Sequence, residues 1–369
     1  MADWYLSEKA AGQHRGRYLD LFYFVRSAGH VNKQWMKMWK RVLHIIPFGE
    51  FAQAVERLNR YVPGYRAHLI PDDDVMPTTD ESIAYISGKD PRVYAKYNKR
   101  LKSILESEKP NLYFTDIEEM RGARDLKTLG IPDGNPFICF HARDSAFLDA
   151  VMSGYNWLYH DYRDSSIQNY IRATDDMTQR GCYAIRIGAI VKERVDSVNP
   201  KIIDYATNGM RTDFLDIYLS EKCRFVLCSD TGMSFPAEVF KKPIVFVNWA
   251  PLLRTPVYVS NGLVIYKKFY LKKERRYMTF SEVMNLKFGG KETNEIFSKL
   301  NLELIENTPE EIGAVTIEMD ERLNGAWETT KEDEELQQRF WALFGPEKFR
   351  SPNLRVGADF LRENKNLLE

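Results

Sequence analysis

Between Phe137 and Trp249 the chain alternates short, almost wholly apolar runs with stretches of helical period, and this alternation constrains the fold more than any other feature. Phe137–His141 (FICFH), Cys182–Ile187 (CYAIRI), Arg224–Cys228 (RFVLC) and Pro243–Val247 are strand-length runs without the polar alternation of a half-exposed sheet. Lys201–Ala206 predicts another strand. After a start at Ser165 or Ser166, Ile167, Tyr170, Ile171, Thr174 and Met177 fall on one helical face that Gly181 ends. Phe214–Lys222 and Ser234–Phe240 predict two further helices. Strands buried on both faces and linked by helices predict a parallel sheet covered on both sides.

A length of 369 residues suits about two such domains. Leu19–Val25 (LDLFYFV) reads as a buried strand, Ser27-Ala28-Gly29 as a turn and Asn32 as a helix cap. Trp35, Met38, Trp39, Val42 and Leu43 then recur at i, i+3, i+4, i+7 and i+8. A strand that opens into a helix through small residues begins a doubly wound α/β domain. Ala67–Ile70 predicts another strand, and a helix is expected from about Arg92 to Leu105. The polar, Gly/Pro-rich stretch from Lys109 to Pro136 places a boundary before residue 136. The expected division is one Rossmann-like lobe over 1–135, a second over 136–306, and helices over 307–369 packing back on the lobes. In that tail Asn307-Thr308-Pro309-Glu310-Glu311 is a helix start, with Ile312, Val315, Met319 and Leu323 in helical spacing. Glu332–Leu343 predicts one more helix.

The 52 Lys and Arg balance 52 Asp and Glu, which argues against nucleic acid as the main partner and requires any anionic ligand to be met locally. Cys139, Cys182, Cys223 and Cys228 form no metal-type spacing and read as buried reduced thiols, pointing to the cytoplasm. Met1–Arg17 has no apolar core of a secretory signal, and no apolar run reaches membrane-span length. Asp72-Asp73-Asp74 has the composition of a divalent-cation element, but Pro71 and Pro77 frame it as a solvated acidic turn, so no metal and no other cofactor is expected.

In an open parallel sheet ligands bind beyond the carboxyl ends of the strands. There His141 and Arg143 fall on one side if the strand extends that far, and an arginine fork suits phosphate oxygens. The alternative is a local Arg143–Asp144 pair that ends the strand. Ser229, Asp230, Thr231 and Gly232 lead into a helix and read either as a phosphate-binding turn or as an ordinary capped helix start. Arg186 and Gly188 form a third point on the same edge, where Arg186, within an apolar strand, needs an anionic partner. Tyr266–Tyr277 interleaves six basic residues with four aromatics, as a solvated connector or as a contact for anionic lipid headgroups.

These residues carry a resemblance. FICFHARDSAFL, HDYRDSSIQNY from His160, RGCYAIRIGA, IIDYA and FVLCSDTGM, together with FYFV, HVNKQWMKMWKRVL from His30 and NLYFT from Asn111, resemble a bacterial glycosyltransferase family linked to surface polysaccharide loci. The likeness implies a GT-B-type fold of two Rossmann-like lobes, the first for the acceptor and the second for a nucleotide-sugar donor. A glycan or lipid-linked acceptor is expected, and if it is lipid-linked, peripheral contact with the inner membrane. The fucosyltransferase superfamily is more distantly similar. Its H-x-R element places the donor's β-phosphate on Arg143 beside His141, although here Asp144 follows Arg143 directly. Ser229, Thr231 and Gly232 would hold the phosphates. A transferase needs a base for the acceptor hydroxyl, for which His30 and Asp144 are the candidates, His30 reading equally as a structural helix cap. A nucleotide-sugar epimerase of the same fold and a non-catalytic glycan-binding protein are the alternatives.

Overall fold

The computed structural model describes residues 2–13, 19–24, 32–65, 91–107, 109–151, 154, 156–256, 258–286, 293–344 and 352–369. His30, the strand expected at 67–70 and Asp72–Asp74 lie outside them. The chain divides into two compact units, Met1–Glu119 and Met120–Glu369.

In the first unit, β1 (Leu21–Tyr23) and β2 (His44–Ile46) pair in parallel on either side of helix Lys33–Val42 in sequence, giving a βαβ unit. The Asn32 side chain caps that helix by accepting the Trp35 N–H at 3.1 Å, and Met38, Trp39 and Leu43 are buried. Helix Pro91–Glu106 covers the helix expected from about Arg92 to Leu105. The polar face of helix Lys33–Val42 converges on Glu118, whose carboxylate accepts from Gln34 at 2.9 Å, Lys37 at 2.8 Å, the Thr115 N–H at 3.0 Å, and Arg41. Burial alone would raise this carboxyl's pKa, but the bonds from Arg41, Lys37, Gln34 and Thr115 outweigh it and hold the group well below the usual range. A folded-state pKa below the unfolded one stabilises the fold fully above the unfolded value, and that contribution shrinks progressively as pH falls from there toward the folded value. Glu118→Gln is therefore expected to lose about 1–3 kcal/mol at neutral pH. In urea titrations the gap between native and variant should close as pH drops below the ordinary glutamate value of about 4.3; a gap independent of pH would refute it.

The second unit is built on β3 (Phe137–His141), β4 (Tyr183–Arg186), β5 (Ile202–Ile203), β6 (Val226–Cys228), β7 (Ile244–Trp249) and β8 (Gly262–Tyr266). A three-stranded antiparallel sheet follows, in the order β10 (Arg276–Tyr277), β9 (Lys268–Leu271), β11 (Leu302–Ile305). β12 (Leu354–Val356) then returns to the large sheet. That sheet is parallel throughout, in the order β12-β8-β7-β6-β3-β4-β5. The fold is thus α/β with a seven-stranded parallel sheet. All residues of β3, β6, β7 and β8 are buried, which is why these strands read as unbroken apolar runs. Phe140, Phe225 and Phe246 are fully enclosed, each contributing about 1.5–3 kcal/mol by burial.

Two readings of the sequence are corrected here. Tyr266–Tyr277 is no connector: it contributes the end of β8 and the strands β9 and β10, and three of its six basic residues form ion pairs among the described residues, Lys268 with Glu311, Lys272 with Glu303, and Arg276 with Glu274 and Glu282. The tail beyond 307 is not helical throughout, because β12 supplies an edge strand whose Leu354 and Val356 are completely buried. Its helix Pro309–Asn324 begins as expected, with Thr308 and Glu311 forming a reciprocal capping box, and packs on helix Ile171–Gln179.

Candidate functional site

The strand order fixes where a ligand site belongs. From β3 the chain moves outward through β4 to β5, then crosses to β6 on the opposite side of β3 and continues through β7 to β8. The connections leaving β3 and β6 therefore run in opposite directions, and this switch point opens a crevice at their carboxyl ends. Expected residues meet there. The Arg143 N–H donates to the Ser229 Oγ at 2.8 Å, and the Ser229 N–H donates to the His141 carbonyl at 3.3 Å, tying the two loops together.

His141 is buried, with Nδ1 2.9 Å from the Ile187 carbonyl, a contact that assigns the proton to Nδ1. Burial lowers its pKa to about 4, against the raising effect of that bond, so the imidazole is neutral at physiological pH. Gly188 follows at φ +155°, where a Cβ would stand 2.7 Å from Val191 Cγ1 and 3.3 Å from His141 Nδ1; glycine permits the close turn. The buried Arg143 guanidinium pairs with the Asp164 carboxylate. Asp230 pairs with Arg163 at 2.7 Å. Thr231 accepts the Met233 N–H at 3.4 Å and caps the turn Gly232–Ser234, which continues into helix Phe235–Val239.

A cleft of about 730 Å³ opens beyond the strand ends of this unit. Among the expected residues, Asp144 and Arg186 line it; Arg143 reaches it through Asp164, which does. Both Asp144 oxygens accept backbone N–H groups, from Ala146 at 3.0 Å and Lys192 at 2.9 Å. Arg186 is 0% exposed. Its Nη1 donates to the Glu193 carbonyl and lies 3.4 Å from Asp204, the anionic partner its strand position demanded, while Nε and Nη2 are buried without hydrogen-bond partners.

Three lining residues carried no role in the sequence reading. Lys267, 4% exposed, extends from the end of β8, and its ammonium donates to the Asp164 carbonyl. Burial lowers its pKa to about 8, with Arg143 adding to the effect and Glu306 opposing it. Glu306 accepts the Ser166 N–H at 3.1 Å and Asn169 Nδ2 at 3.0 Å, closing the wall formed by β11. Asp161 faces the cleft from the turn Leu158–Arg163. The rule that located Arg143 and Arg186 would also have located Lys267, had Gly262–Tyr266 been read as a strand. Among the described residues no group of three His, Cys, Asp or Glu side chains is placed to hold a metal ion, and no helix is long and apolar enough to cross a membrane.

No protein-family model matches the chain, and no curated protein matches it. Among solved structures, the chain is similar to the glycosyl transferase family 9 from Veillonella parvula DSM 2008, at 10% sequence identity and a TM-score of 0.30. The matched region covers 47% of this chain and 48% of that one, about half the length of either.

Proposed function

We propose that the chain is a glycosyltransferase that moves a sugar from a nucleotide-diphosphate donor to a glycan or lipid-linked acceptor in the synthesis of bacterial surface polysaccharide. The observation that carries this reading is the state of Arg186: a fully enclosed guanidinium, lining a cleft at the carboxyl edge of a doubly wound sheet, with the three N–H donors of Nε and Nη2 unmet. An unmet buried donor costs about 1–3 kcal/mol, and a phosphate oxygen arriving in the cleft removes that cost. The sequence motifs around Arg143, Arg186 and Ser229 point to the same donor class.

In this reading Arg186 stabilises charge as it develops on the departing diphosphate, and the cleft limits the access of water that would hydrolyse the donor. Arg143 and Ser229 hold the β3 and β6 loops in place, with Asp230, Thr231 and Gly232 on the same edge. Asp144 is the proposed base for the acceptor hydroxyl, since each of its oxygens keeps a second lone pair beyond its backbone bond. The cationic work is done by side chains, and no metal is invoked.

Calorimetry and thermal melting against uridine, guanosine, adenosine and thymidine diphosphates and their sugars test the reading. At least one is expected to stabilise the protein, by about 2.7 kcal/mol at a hundredfold excess over Kd. Release of nucleoside diphosphate should then depend on an added glycan acceptor. Absence of stabilisation by every member of the panel would refute the proposal.

A further inference from the structure

Two charged groups in the cleft are left open by the fold itself. The Lys267 ammonium carries three N–H donors and spends one, on the Asp164 carbonyl; among the described residues no carboxylate lies within ion-pair distance of it. An unpaired ammonium enclosed to this degree is costly unless an anion reaches it. Asp161 is its counterpart. Its carboxylate makes no hydrogen bond or ion pair among the described residues, and Oδ1 is buried without a partner. Burial accordingly raises its pKa, with Arg143 opposing.

The two groups belong to one piece of structure. The Asp164 N–H closes the turn onto the Asp161 carbonyl at 2.8 Å, and the Asp164 carbonyl receives Lys267. One residue thus fixes both the cation and the turn that presents the carboxylate, and both side chains line the same cleft. A ligand that satisfies them needs an anionic oxygen for the ammonium and hydroxyl donors for the carboxylate. Inorganic phosphate supplies only the first, and a neutral sugar only the second.

We propose that Lys267 and Asp161 form a subsite for a glycosyl phosphate, Lys267 taking a phosphate oxygen and Asp161 accepting hydrogen bonds from hydroxyls of the sugar. The proposal rests on the glycosyltransferase reading for its place in a reaction, and it makes Asp161 the residue that distinguishes a sugar-bearing donor from the bare nucleotide.

The test uses the full chain and probes without a nucleotide: inorganic phosphate, and the 1-phosphates of glucose, galactose, N-acetylglucosamine and fucose, by calorimetry. At least one sugar phosphate is expected to bind about tenfold or more tightly than phosphate, roughly one to two good hydrogen bonds to a charged acceptor. Asp161→Asn should erase that increment while leaving phosphate affinity unchanged. Lys267→Met should weaken both ligands about tenfold or more, and its ligand-free form should melt no lower than the native protein, because an unpaired buried charge has been removed. Sugar phosphates no tighter than phosphate, an increment retained in Asp161→Asn, or unchanged binding in Lys267→Met would each overturn the proposal. If Lys267→Met melts lower, Lys267→Gln is measured in its place, and its undiminished phosphate binding is equally fatal. Failure of the donor reading looks different: sugar phosphates would bind as described while nucleotide sugars neither bind nor turn over.

Discussion

Replacement of Arg186 by methionine is expected to weaken nucleoside diphosphate binding by about 10²-fold or more, with transfer activity falling in step. The side chain is entirely enclosed, so its bonds to a phosphate form without competition from bulk water. Truncating one partner of a buried, hydrogen-bonded charge pair costs about 2–5 kcal/mol in binding. Methionine fills the space of the aliphatic stem, which keeps the packing of β4 between β3 and β5. The loss on the protein side is confined to the bond to the Glu193 carbonyl and the approach to Asp204, whose Oδ2 still accepts the Val195 N–H at 3.0 Å and Thr207 Oγ1 at 2.8 Å. Arg186→Lys is the informative companion: it preserves the charge and removes the planar fork, so it should fall between native and Arg186→Met. Unchanged affinity in Arg186→Met, with the protein folded, would place the phosphate elsewhere.

The second large effect concerns stability. Gly122 lies in helix Asp116–Thr128, against the ring of Tyr218 on helix Asp213–Lys222, and a Cβ there would stand 2.1–2.4 Å from three ring carbons. The ring has little room to retreat, since it is buried and stacked on Phe214 at 5.6 Å, which is itself covered by the Arg121 guanidinium at 4.1 Å. Alanine in a helix interior ordinarily gains about 0.5–1 kcal/mol over glycine. Here overpacking, about 1–3 kcal/mol and occasionally more, outweighs the gain. Gly122→Ala should lower the melting temperature of the second unit by several degrees, at about 2–4 °C per kcal/mol. In a Tyr218→Ala background the obstacle is gone, and the same substitution should become neutral or stabilising. A Gly122→Ala penalty that persists in that background would show that the ring is not its cause.

Much of this architecture was legible in the chain because β3, β4, β6 and β7 are buried on both faces and so appear as plain apolar runs. Their carboxyl ends then led directly to Arg143, Arg186 and Ser229. The cleft's far wall was not legible for a different reason. Glu306 meets Ser166 and Asn169 across 140 and 137 residues, and nothing local to Leu302–Ile305 announces that partnership. Leu354–Val356 is three residues long, too short for any period to register, and it qualifies as a strand only because β8 offers it an edge. Asp161 and Asp164 stood in the quoted HDYRDSS motif, yet their roles depend on Lys267, more than a hundred positions later. Propensity and spacing report on neighbours in sequence, whereas the charge pattern of a cleft is set by neighbours in space.

The bonds that define the cleft join residues 86 apart at Arg143–Ser229, 103 apart at Lys267–Asp164, and 140 apart at Ser166–Glu306. Parallel pairing of this kind closes long loops before any contact rewards them, which makes assembly slow. No fragment ending before residue 306 contains the complete pocket. Ligand binding is therefore a late event on the folding pathway, and recovery of binding after dilution from denaturant should trace the final cooperative phase, lagging behind the regain of helical signal.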